Sequence, residues 1–545
     1  MRQLLPLLLA AFAVAPVSAD SGRYLVAVRH PAAQADLRIL RDSGEARAHA
    51  VRSFVSVDGF AADLSAEDVA ALRRSPEVRF VSPVVERHVL ENGGLSPAAD
   101  ASAFDQAQTI PYGVAMVHAP EVWPVTKGRG PVNVAILDTG IDMHHPDLAE
   151  NYAGGTNAFA GTDDPTDDNG HGTHVAGTIA ARDNGIGVIG VAPEARVWAV
   201  KVLNKAGAGS DETIIAGIDW VMARKREVGG DWIISMSLGS VGPSGLEESA
   251  VEAALAQGIV VVAAAGNSAS EHVEYPGAYP GVINVGAVDE AGDLAAFSDH
   301  GPLLIVVAPG VQVLSTTIVG SVDTVTVRVG DSSIPAATVE GSAKGEIKGP
   351  YFLCGLGEAG QFPPEVAGNI AVIERGDITF NEKVRNAQAA HAAAVLIYNR
   401  DDTAFNTWTL LRPDCSDIAG CDDPTHSWPV VLAVSAEDGQ RLASAIDRTM
   451  DMGTWLDDYR VMSGTSMSTP HVSGILALLW SLVPSATPAD LRDALISTAT
   501  DLGAPGVDDT FGHGLVDAQR AAMKLAPWAF TTNRGHGENL QIVRP

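Results

Sequence analysis

Between residues 111 and 310, short apolar runs alternate with patterns of helical period. Apolar runs of this length, bounded by turn-forming residues, predict buried strands. The predicted strands span residues 132–137, 197–203, 232–235, 259–264, 282–285 and 304–307. Helices are predicted at residues 172–182, 211–226 and 246–257. This alternation predicts an α/β fold with a mainly parallel central sheet covered on both faces.

Two regions break this pattern. Residues 20–105 predict a small module, with strands at 23–28, 54–57 and 78–81 and a helix that begins after Ser65. A second region, residues 318–458, is richer in Thr, Asp and Gly and predicts strands at 325–329, 370–373 and 394–398 and a helix at 380–393. Helical patterns return only after Met462. Residues 318–458 are therefore interpreted as a domain inserted into the α/β unit.

The N-terminal 19 residues have the pattern of a secretory signal. Arg2 precedes an apolar run over residues 4–17, and Val17-Ser18-Ala19 supplies the small residues of a cleavage site. No later apolar run reaches the roughly 20 residues of a membrane helix. We therefore expect a secreted protein without a membrane anchor, extracellular or in transit through a periplasm.

Charge and cysteine content narrow the partners and the redox chemistry. Asp and Glu total 66 against 36 Lys and Arg, a net charge of −30, which argues against nucleic acid as a partner. Three cysteines cannot all pair within one exported chain. The short spacing favours a Cys415–Cys421 bridge, while a bridge from Cys354 to either stays open.

Three polar stretches at predicted strand or helix ends carry the candidate chemistry. Ser466, in Gly464-Thr465-Ser466-Met467-Ser468, precedes an apolar helical run and is either a helix cap or a nucleophile. Asp138 closes a buried strand, at the sheet edge where such folds bind ligands. His171 begins a helix and is a candidate base. His174, three residues later, also suggests zinc, although no Glu lies between the two histidines.

The three stretches together resemble the signatures of the subtilisin-like serine proteases: Asp138-Thr139-Gly140, His171-Gly172-Thr173-His174 and Gly464-Thr465-Ser466-Met467-Ser468. They also occur in the order Asp, His, Ser known for subtilisin. The resemblance implies that Ser466 is the nucleophile, His171 the base and Asp138 the residue that orients His171. It covers about residues 108–525 outside the insertion.

The resemblance also implies a substrate site. Asn267, in Ala265-Gly266-Asn267, is expected to be an oxyanion-hole donor. The expected substrate-binding residues are Ser237, Leu238, Gly239, Ala265, Gly266 and Glu274. Glu274 lies where the family often has a small residue. It predicts acceptance of basic as well as apolar side chains before the cut, or it is a solvated surface residue.

A structural Ca²⁺ site is a further implication. Its expected ligands are Gln108, Asp147, Asn184, Ile186 and Val188, which offer side-chain and main-chain oxygens. The acidic residues at 163, 164, 167 and 168 are interpreted as solvated, without a metal.

The resemblance extends to the two regions outside the α/β unit. Residues 20–105 are similar to the family's α+β, ferredoxin-like inhibitory propeptide, with cleavage expected between about Leu90 and Ala107. Residues 318–458 resemble a β-rich protease-associated (PA) domain. The predicted division is 1–19, 20–105, 106–317, 318–458, 459–527 and a tail at 528–545.

The predicted function is a secreted, self-processing serine endopeptidase, acting as a monomer on proteins or peptides and inhibited by its own propeptide. A peptide-binding scaffold without activity is disfavoured because all three triad positions are filled. An esterase of the α/β-hydrolase type is disfavoured because Ser466 comes last in the chain and lacks the Gly-x-Ser-x-Gly elbow.

Overall fold

The structure is a computed structural model that describes residues 22–29, 49–90, 108–330, 332–401, 408–410, 428–445 and 448–530. The predicted signal segment, the linker after Leu90, Cys415 and Cys421 lie outside the described residues. Cys354 is described, and it is a buried free thiol whose pKa is raised to about 12 by burial. A bridge from Cys354 therefore has no support in the part of the chain that the structure describes.

The N-terminal unit is a four-stranded antiparallel sheet with one described helix. It comprises β1 (Gly22–Val28), β2 (His49–Ser53), β3 (Gly59–Leu64), α1 (Ala66–Arg74) and β4 (Val78–Pro83), with strand order β2-β3-β1-β4. The strand predicted at 54–57 is wrong, because these residues form the connection between β2 and β3. The Val55 and Ser56 amides donate to the Asp219 carboxylate, at 2.7 and 2.6 Å, instead of pairing in a sheet.

The α/β unit that follows contains the predicted parallel sheet. Its strands, together with three short ones, are β5 (Glu86–Val89), β6 (Val132–Asp138), β7 (Tyr152–Asn157), β8 (Arg196–Lys201), β9 (Ala208–Ser210), β10 (Asp231–Met236), β11 (Leu238–Gly239), β12 (Val260–Ala264), β13 (Ile283–Val288) and β14 (Val306–Pro309). Its helices are α2 (Tyr112–Met116), α3 (His171–Ala180), α4 (Asp211–Val228) and α5 (Gly245–Ala256). Seven strands pair in parallel in the order β14-β13-β12-β10-β6-β8-β7.

A second large sheet occupies the region predicted as an insertion. Its elements and their flanks are β15 (Val313–Thr316), β16 (Val322–Val329), β17 (Ser332–Ser333), β18 (Ala336–Thr338), β19 (Gly345–Leu353), β20 (Ile370–Glu374), α6 (Phe380–Ala389), β21 (Ala394–Tyr398), β22 (Val430–Val434), α7 (Ala436–Ser444), β23 (Thr449–Asp457) and β24 (Tyr459–Met462). The eight-stranded order is β17-β16-β23-β19-β20-β21-β22-β18. β15 and β24 pair antiparallel, with Val313 opposite Met462, so the chain leaves and re-enters the α/β unit at one place.

The last helices complete the layers around the parallel sheet: α8 (Thr465–Leu482), α9 (Pro488–Thr498) and α10 (Ala518–Leu525). Along β6, Val134 and Ile136 belong to a core shared with α3 and α8, while Ala135 and Leu137 belong to a core shared with α4 and α5. The predicted three-layer α/β architecture is thereby confirmed. Among the described residues, no helix has both the length and the apolar character to cross a bilayer.

Candidate active site

Asp138 and His171 are paired at the carboxyl edge of the parallel sheet. Asp138 is the last residue of β6 and His171 the first of α3, and Asp138 Oδ1 lies 2.8 Å from His171 Nδ1. Both side chains are fully buried. Gly172 permits this approach, because a Cβ atom there would lie 2.1 Å from the Gly140 carbonyl oxygen. The imidazole is therefore held by a carboxylate, as a base in acyl transfer must be.

One ring nitrogen of His174 faces main-chain carbonyl groups. Its Nε2 lies 3.0 Å from the Val313 carbonyl oxygen and 3.1 Å from that of Arg460, so its N–H bonds to the pair β15–β24. Burial, and then the charge of His171, lower the pKa of His174 to about 3. No group of three or more His, Cys, Asp or Glu within the described ranges could hold a metal ion, which leaves the zinc alternative without support.

Ser466 is the second residue of α8, and its hydroxyl does not cap the helix. The N-cap is Gly464, which has no side chain to bond the helix end. The Ser466 hydroxyl donates to the Ser237 carbonyl at 2.7 Å and accepts from the Leu90 amide at 3.0 Å. The Ser237 hydroxyl donates to the Ser466 carbonyl at 2.8 Å. The cap interpretation is therefore wrong, and the hydroxyl lies against a residue of the N-terminal region.

Asn267 and the Ser466 backbone both bond to the carbonyl of Leu90. Asn267 Nδ2 donates to the Leu90 oxygen, and the Ser466 amide reaches the same oxygen at 3.4 Å. The orientation of the Asn267 amide is fixed, because its Oδ1 accepts from the Thr465 amide and hydroxyl, each at 2.9 Å. Two donors thus converge on one peptide carbonyl beside a serine hydroxyl, which is the arrangement that stabilises a developing oxyanion.

The segment ending at Leu90 lies in the cleft as an added strand. β5 is antiparallel both to β11, with Val89 opposite Leu238, and to β9, with Arg87 opposite Gly209. Leu238 and Gly239, two of the expected substrate-binding residues, therefore pair with β5, and β9 supplies a second edge that was not predicted. The available signal was the Gly- and Ala-rich stretch at 206–210 between a strand and a helix.

The Leu90 side chain is buried beside Gly239, which also lies next to the Glu274 carboxylate. It is 8% exposed, and a Cβ atom at Gly239 would lie 3.0 Å from both Leu90 Cδ1 and Glu274 Oε2. Ala265 accepts from the Glu274 amide at 2.7 Å, and Gly266 leaves space for Asp299, whose Oδ2 would lie 2.0 Å from a Cβ atom there.

Glu274 is buried, so its interpretation as a solvated surface residue is wrong. It is 6% exposed. Its pKa is raised, chiefly by burial and then by the charge of Asp299. Its Oε1 lies 3.4 Å from the Ser268 hydroxyl, while Oε2 has no hydrogen-bond partner. An acid group thus lies beside the pocket that holds an apolar leucine.

The five expected calcium ligands form one hydrogen-bonded cluster. Gln108 Nε2 donates to the Val188 carbonyl at 3.1 Å and lies 3.3 Å from Asn184 Oδ1. The buried Asp147 carboxylate accepts from Asn184 Nδ2 at 2.9 Å and from the Val188 amide at 3.1 Å. Ile186 is 45% exposed at the edge of the same loop and bonds Asn184 Oδ1 through its amide, at 3.1 Å.

A parallel-sheet enzyme with an Asp–His pair at the sheet edge and a serine at the start of the central helix is a serine endopeptidase of the subtilisin type. Comparison with known proteins makes this specific. The Subtilase family model matches residues 129–343 and 421–514, the PA domain model residues 334–442 and the Peptidase inhibitor I9 model residues 20–89. The chain belongs to the Subtilase family and carries an inhibitor-type propeptide and an inserted PA domain.

Individual relatives agree with this assignment. The chain is 40% identical to M-protease of Shouchella clausii over 281 residues, which are 52% of this chain and 68% of the relative. It is 46% identical to Subtilisin Savinase of Lederbergia lenta over 210 residues, 38% of this chain and 75% of the relative. A solved structure, the psychrophilic subtilisin-like protease Apa1 of the Antarctic psychrotroph Pseudoalteromonas sp. AS-11, matches with TM-score 0.52 and 28% identity, covering 77% of this chain and 99% of that one.

Proposed function

We propose that this chain is a secreted zymogen that cuts itself after Leu90 and then hydrolyses proteins or peptides, with Ser466, His171 and Asp138 as catalytic triad. The observation that carries the proposal is the Leu90 carbonyl, which accepts from Asn267 Nδ2 and the Ser466 amide while the Ser466 hydroxyl touches the Leu90 amide. Leu90 thus lies where the residue before a scissile bond must lie.

In the proposed reaction Ser466 Oγ attacks the carbonyl carbon, and its proton passes to His171 Nε2. Asp138 accepts from His171 Nδ1–H and stabilises the resulting imidazolium. Asn267 and the Ser466 amide stabilise the oxyanion. His171 then protonates the departing amine, leaving an acyl-enzyme ester that water hydrolyses. In the structure the Ser466 hydroxyl donates to the Ser237 carbonyl oxygen, so the hydroxyl must rotate to direct its proton to His171 before attack.

Substrates are proposed to bind as β5 does, between β9 and β11. Main-chain pairing of this kind gives affinity with little demand on sequence and leaves selection to side-chain pockets. We infer that the pocket at Glu274 takes apolar residues, as it takes Leu90, and also basic ones. Cleavage rates on matched peptides with Leu, Arg or Lys before the cut test this inference. It would be contradicted if the Arg and Lys peptides were cut no faster than others and if Glu274→Ser did not slow their cleavage.

A structural calcium ion is proposed at the Gln108 cluster. The donor set fits, because the Asn184 and Val188 oxygens already converge on the electropositive amide nitrogen of Gln108, and Asp147 supplies a buried carboxylate beside them. With Gln108 turned to present its oxygen, Gln108, Asp147, Asn184, Ile186 and Val188 would hold the ion. The ion would stabilise the fold and take no part in the chemistry.

The remaining proposals concern organisation. We propose the division at residues 19, 105, 317, 458 and 527, with export directed by residues 1–19 and a monomeric product. The PA domain is proposed to control access of protein substrates. Deletion that leaves the rates on folded and unfolded substrates unchanged would refute that role.

Self-processing is the decisive test. We expect the purified wild-type precursor to release a mature chain beginning at Glu91, while Ser466→Ala stays intact. Ser468→Ala is the matched control, because its hydroxyl donates to the Ala308 carbonyl at 3.0 Å, away from Leu90, and processing should persist. The proposal would be contradicted if purified Ser466→Ala precursor, with no other protease present, were processed as fast as the wild type. A mature N-terminus far from residue 91 would also contradict it.

A further inference from the structure

Arg87 lies on β5, three residues before Leu90, and its side chain is fully buried although the residues on either side are exposed. A peptide in the cleft with Leu90 before the scissile bond therefore places Arg87 at the fourth position from that bond. The position matters because a buried guanidinium needs partners that satisfy its charge and its five N–H donors.

The partner of Arg87 is Glu247, on α5. Arg87 Nε donates to Glu247 Oε1 at 3.1 Å, Nη2 donates to Oε2, and both side chains are fully buried. Arg87 Nη1 also donates to the Ser240 hydroxyl at 2.9 Å. This two-pronged contact matches the planar guanidinium and fits the compact ammonium of lysine less well.

The pocket holds the Glu247 carboxylate in position without help from the propeptide. The Tyr279 hydroxyl lies 2.8 Å from Glu247 Oε2 and 3.0 Å from the Ser244 carbonyl oxygen, so its single proton faces both acceptors. Tyr279 is in turn fixed by Ser244, whose amide donates to the hydroxyl oxygen at 2.9 Å. These groups belong to the α/β unit, so their contacts with the acid do not depend on the N-terminal region.

An arginine at this position of a substrate would restore the pair, whereas an apolar residue would cover an unpaired carboxylate. Removing one partner of a buried ion pair is strongly unfavourable, since the other charge stays desolvated. Sites built around such a polar contact reject analogues that lack it more strongly than apolar pockets reject a smaller side chain. The Glu86 and His88 side chains, on either side of Arg87, are exposed, and they lie 3.5 Å from each other instead of in a pocket.

We propose that Glu247 makes the site for the fourth residue before the scissile bond selective for arginine, in protein substrates as well as in the propeptide. This inference rests on the proposed peptidase function. It assigns to Glu247 the role of a specificity-determining residue, and to Arg87 that of the propeptide side chain that occupies its pocket.

The test uses mature wild-type enzyme and quenched fluorescent peptides with the sequence of residues 84–92, varied only at the position of Arg87. Arg, citrulline, Lys and Leu are compared, because citrulline keeps the shape of arginine without its charge. We expect kcat/KM for Arg to exceed that for citrulline or Leu by about 10²-fold, with Lys between them. Replacing the histidine at the next position by Ala should change the rate by less than about threefold.

Variants then identify the residue responsible. Glu247→Gln should reduce the preference for Arg over citrulline to less than about threefold while the Leu peptide is still cut. If that variant does not mature, Tyr279→Phe, which removes a hydroxyl in contact with the same carboxylate, should lower the preference for Arg over citrulline.

Two results would overturn the inference and are distinguishable. Equal rates on the Arg, citrulline and Leu peptides, by an enzyme that a serine-directed phosphonate labels and that degrades casein, would show that the Arg87–Glu247 pair serves the precursor alone. Absence of labelling and of casein hydrolysis would overturn the peptidase proposal, and the arginine selectivity with it.

Discussion

Gly172 offers the sharpest test of how the fold holds the Asp–His pair. A methyl group at this position would lie 2.1 Å from the Gly140 carbonyl oxygen and 3.2 Å from Asp138 Cβ. The first distance is more than about 1 Å below ordinary contact, and the obstructing atom is backbone, which cannot rotate away. Gly172→Ala must therefore push the start of α3 away from the turn after β6 by about that amount.

Two opposing effects set the magnitude. Alanine in a helix interior is favoured over glycine by about 1 kcal/mol, whereas overpacking costs about 1–3 kcal/mol. The clash should win, and Tm should fall by several degrees. Because His171 is the first residue of α3, the shift also stretches the 2.8 Å contact to Asp138. A misplacement of about 1 Å in a catalytic group lowers kcat about 10²-fold.

The assay is kcat on a peptide substrate, per active site titrated with a phosphonate, together with the Tm of the mature enzyme. Gly177→Ala, on the same helix, is the matched control, because its new methyl group would meet the hydroxyl side chains of Thr316 and Ser315. That variant should lose stability and keep its kcat. If Gly172→Ala were more stable than wild type with unchanged kcat, the reasoning would be refuted.

Three further predictions concern the oxyanion donor, the metal and a buried acid. Asn267→Ala should lower kcat by about 10²–10³-fold and leave KM little changed; this is the range found when such a donor is removed from subtilisin itself. Asn284→Ala, which removes a buried amide elsewhere in the enzyme, should keep the wild-type kcat. Chelation should lower the Tm of the mature enzyme, because Ca²⁺ at a hundred times its Kd adds about 2.7 kcal/mol to the free energy of unfolding. Asp147→Ala should abolish this response to calcium. Burial raises the pKa of Asp211 to about 6, so the folded precursor holds a proton that the unfolded chain releases near pH 4, and stability is lost as pH rises through that window. Asp211→Asn, in a Ser466→Ala background, should therefore gain stability relative to its parent by about 3 kcal/mol between pH 4 and 7, and a difference that does not vary with pH would contradict this.

The elements of the parallel sheet were predictable because their signal is local. β6 was predicted to within one residue, since both its faces are buried and it carries a nearly continuous apolar run. The segment at 54–57 has a similar β-branched and aromatic pattern, yet it is a connection. Its amides bond to Asp219, more than 160 residues away, and no local pattern contains that contact.

The residues of the active site also differ in whether the sequence could predict them. Asp138, His171, Ser466 and Asn267 could be proposed because each lies in a short motif at the end of a predicted element. Leu90 could not be proposed in this way, since nothing in the sequence around it distinguishes it from other residues near the linker. Its role depends on which carbonyl meets Asn267, and that is decided by the docking of the whole N-terminal sheet. The buried Glu274 likewise lies next to Gly239 and feels the charge of Asp299, and both residues are distant from it in sequence.

Among the contacts that hold the N-terminal region on the enzyme, two groups are well separated, and their separation bears on what would follow the proposed cleavage. One is β5 in the cleft, with Leu90 and Arg87 in their pockets. The other lies on α4, where Arg23 bonds to Glu212 at 2.8 Å and the Val55 and Ser56 amides bond to Asp219. Cutting the bond after Leu90 breaks no contact in either group. The segment produced by the proposed cleavage should therefore remain bound as a product whose two groups of contacts reinforce each other.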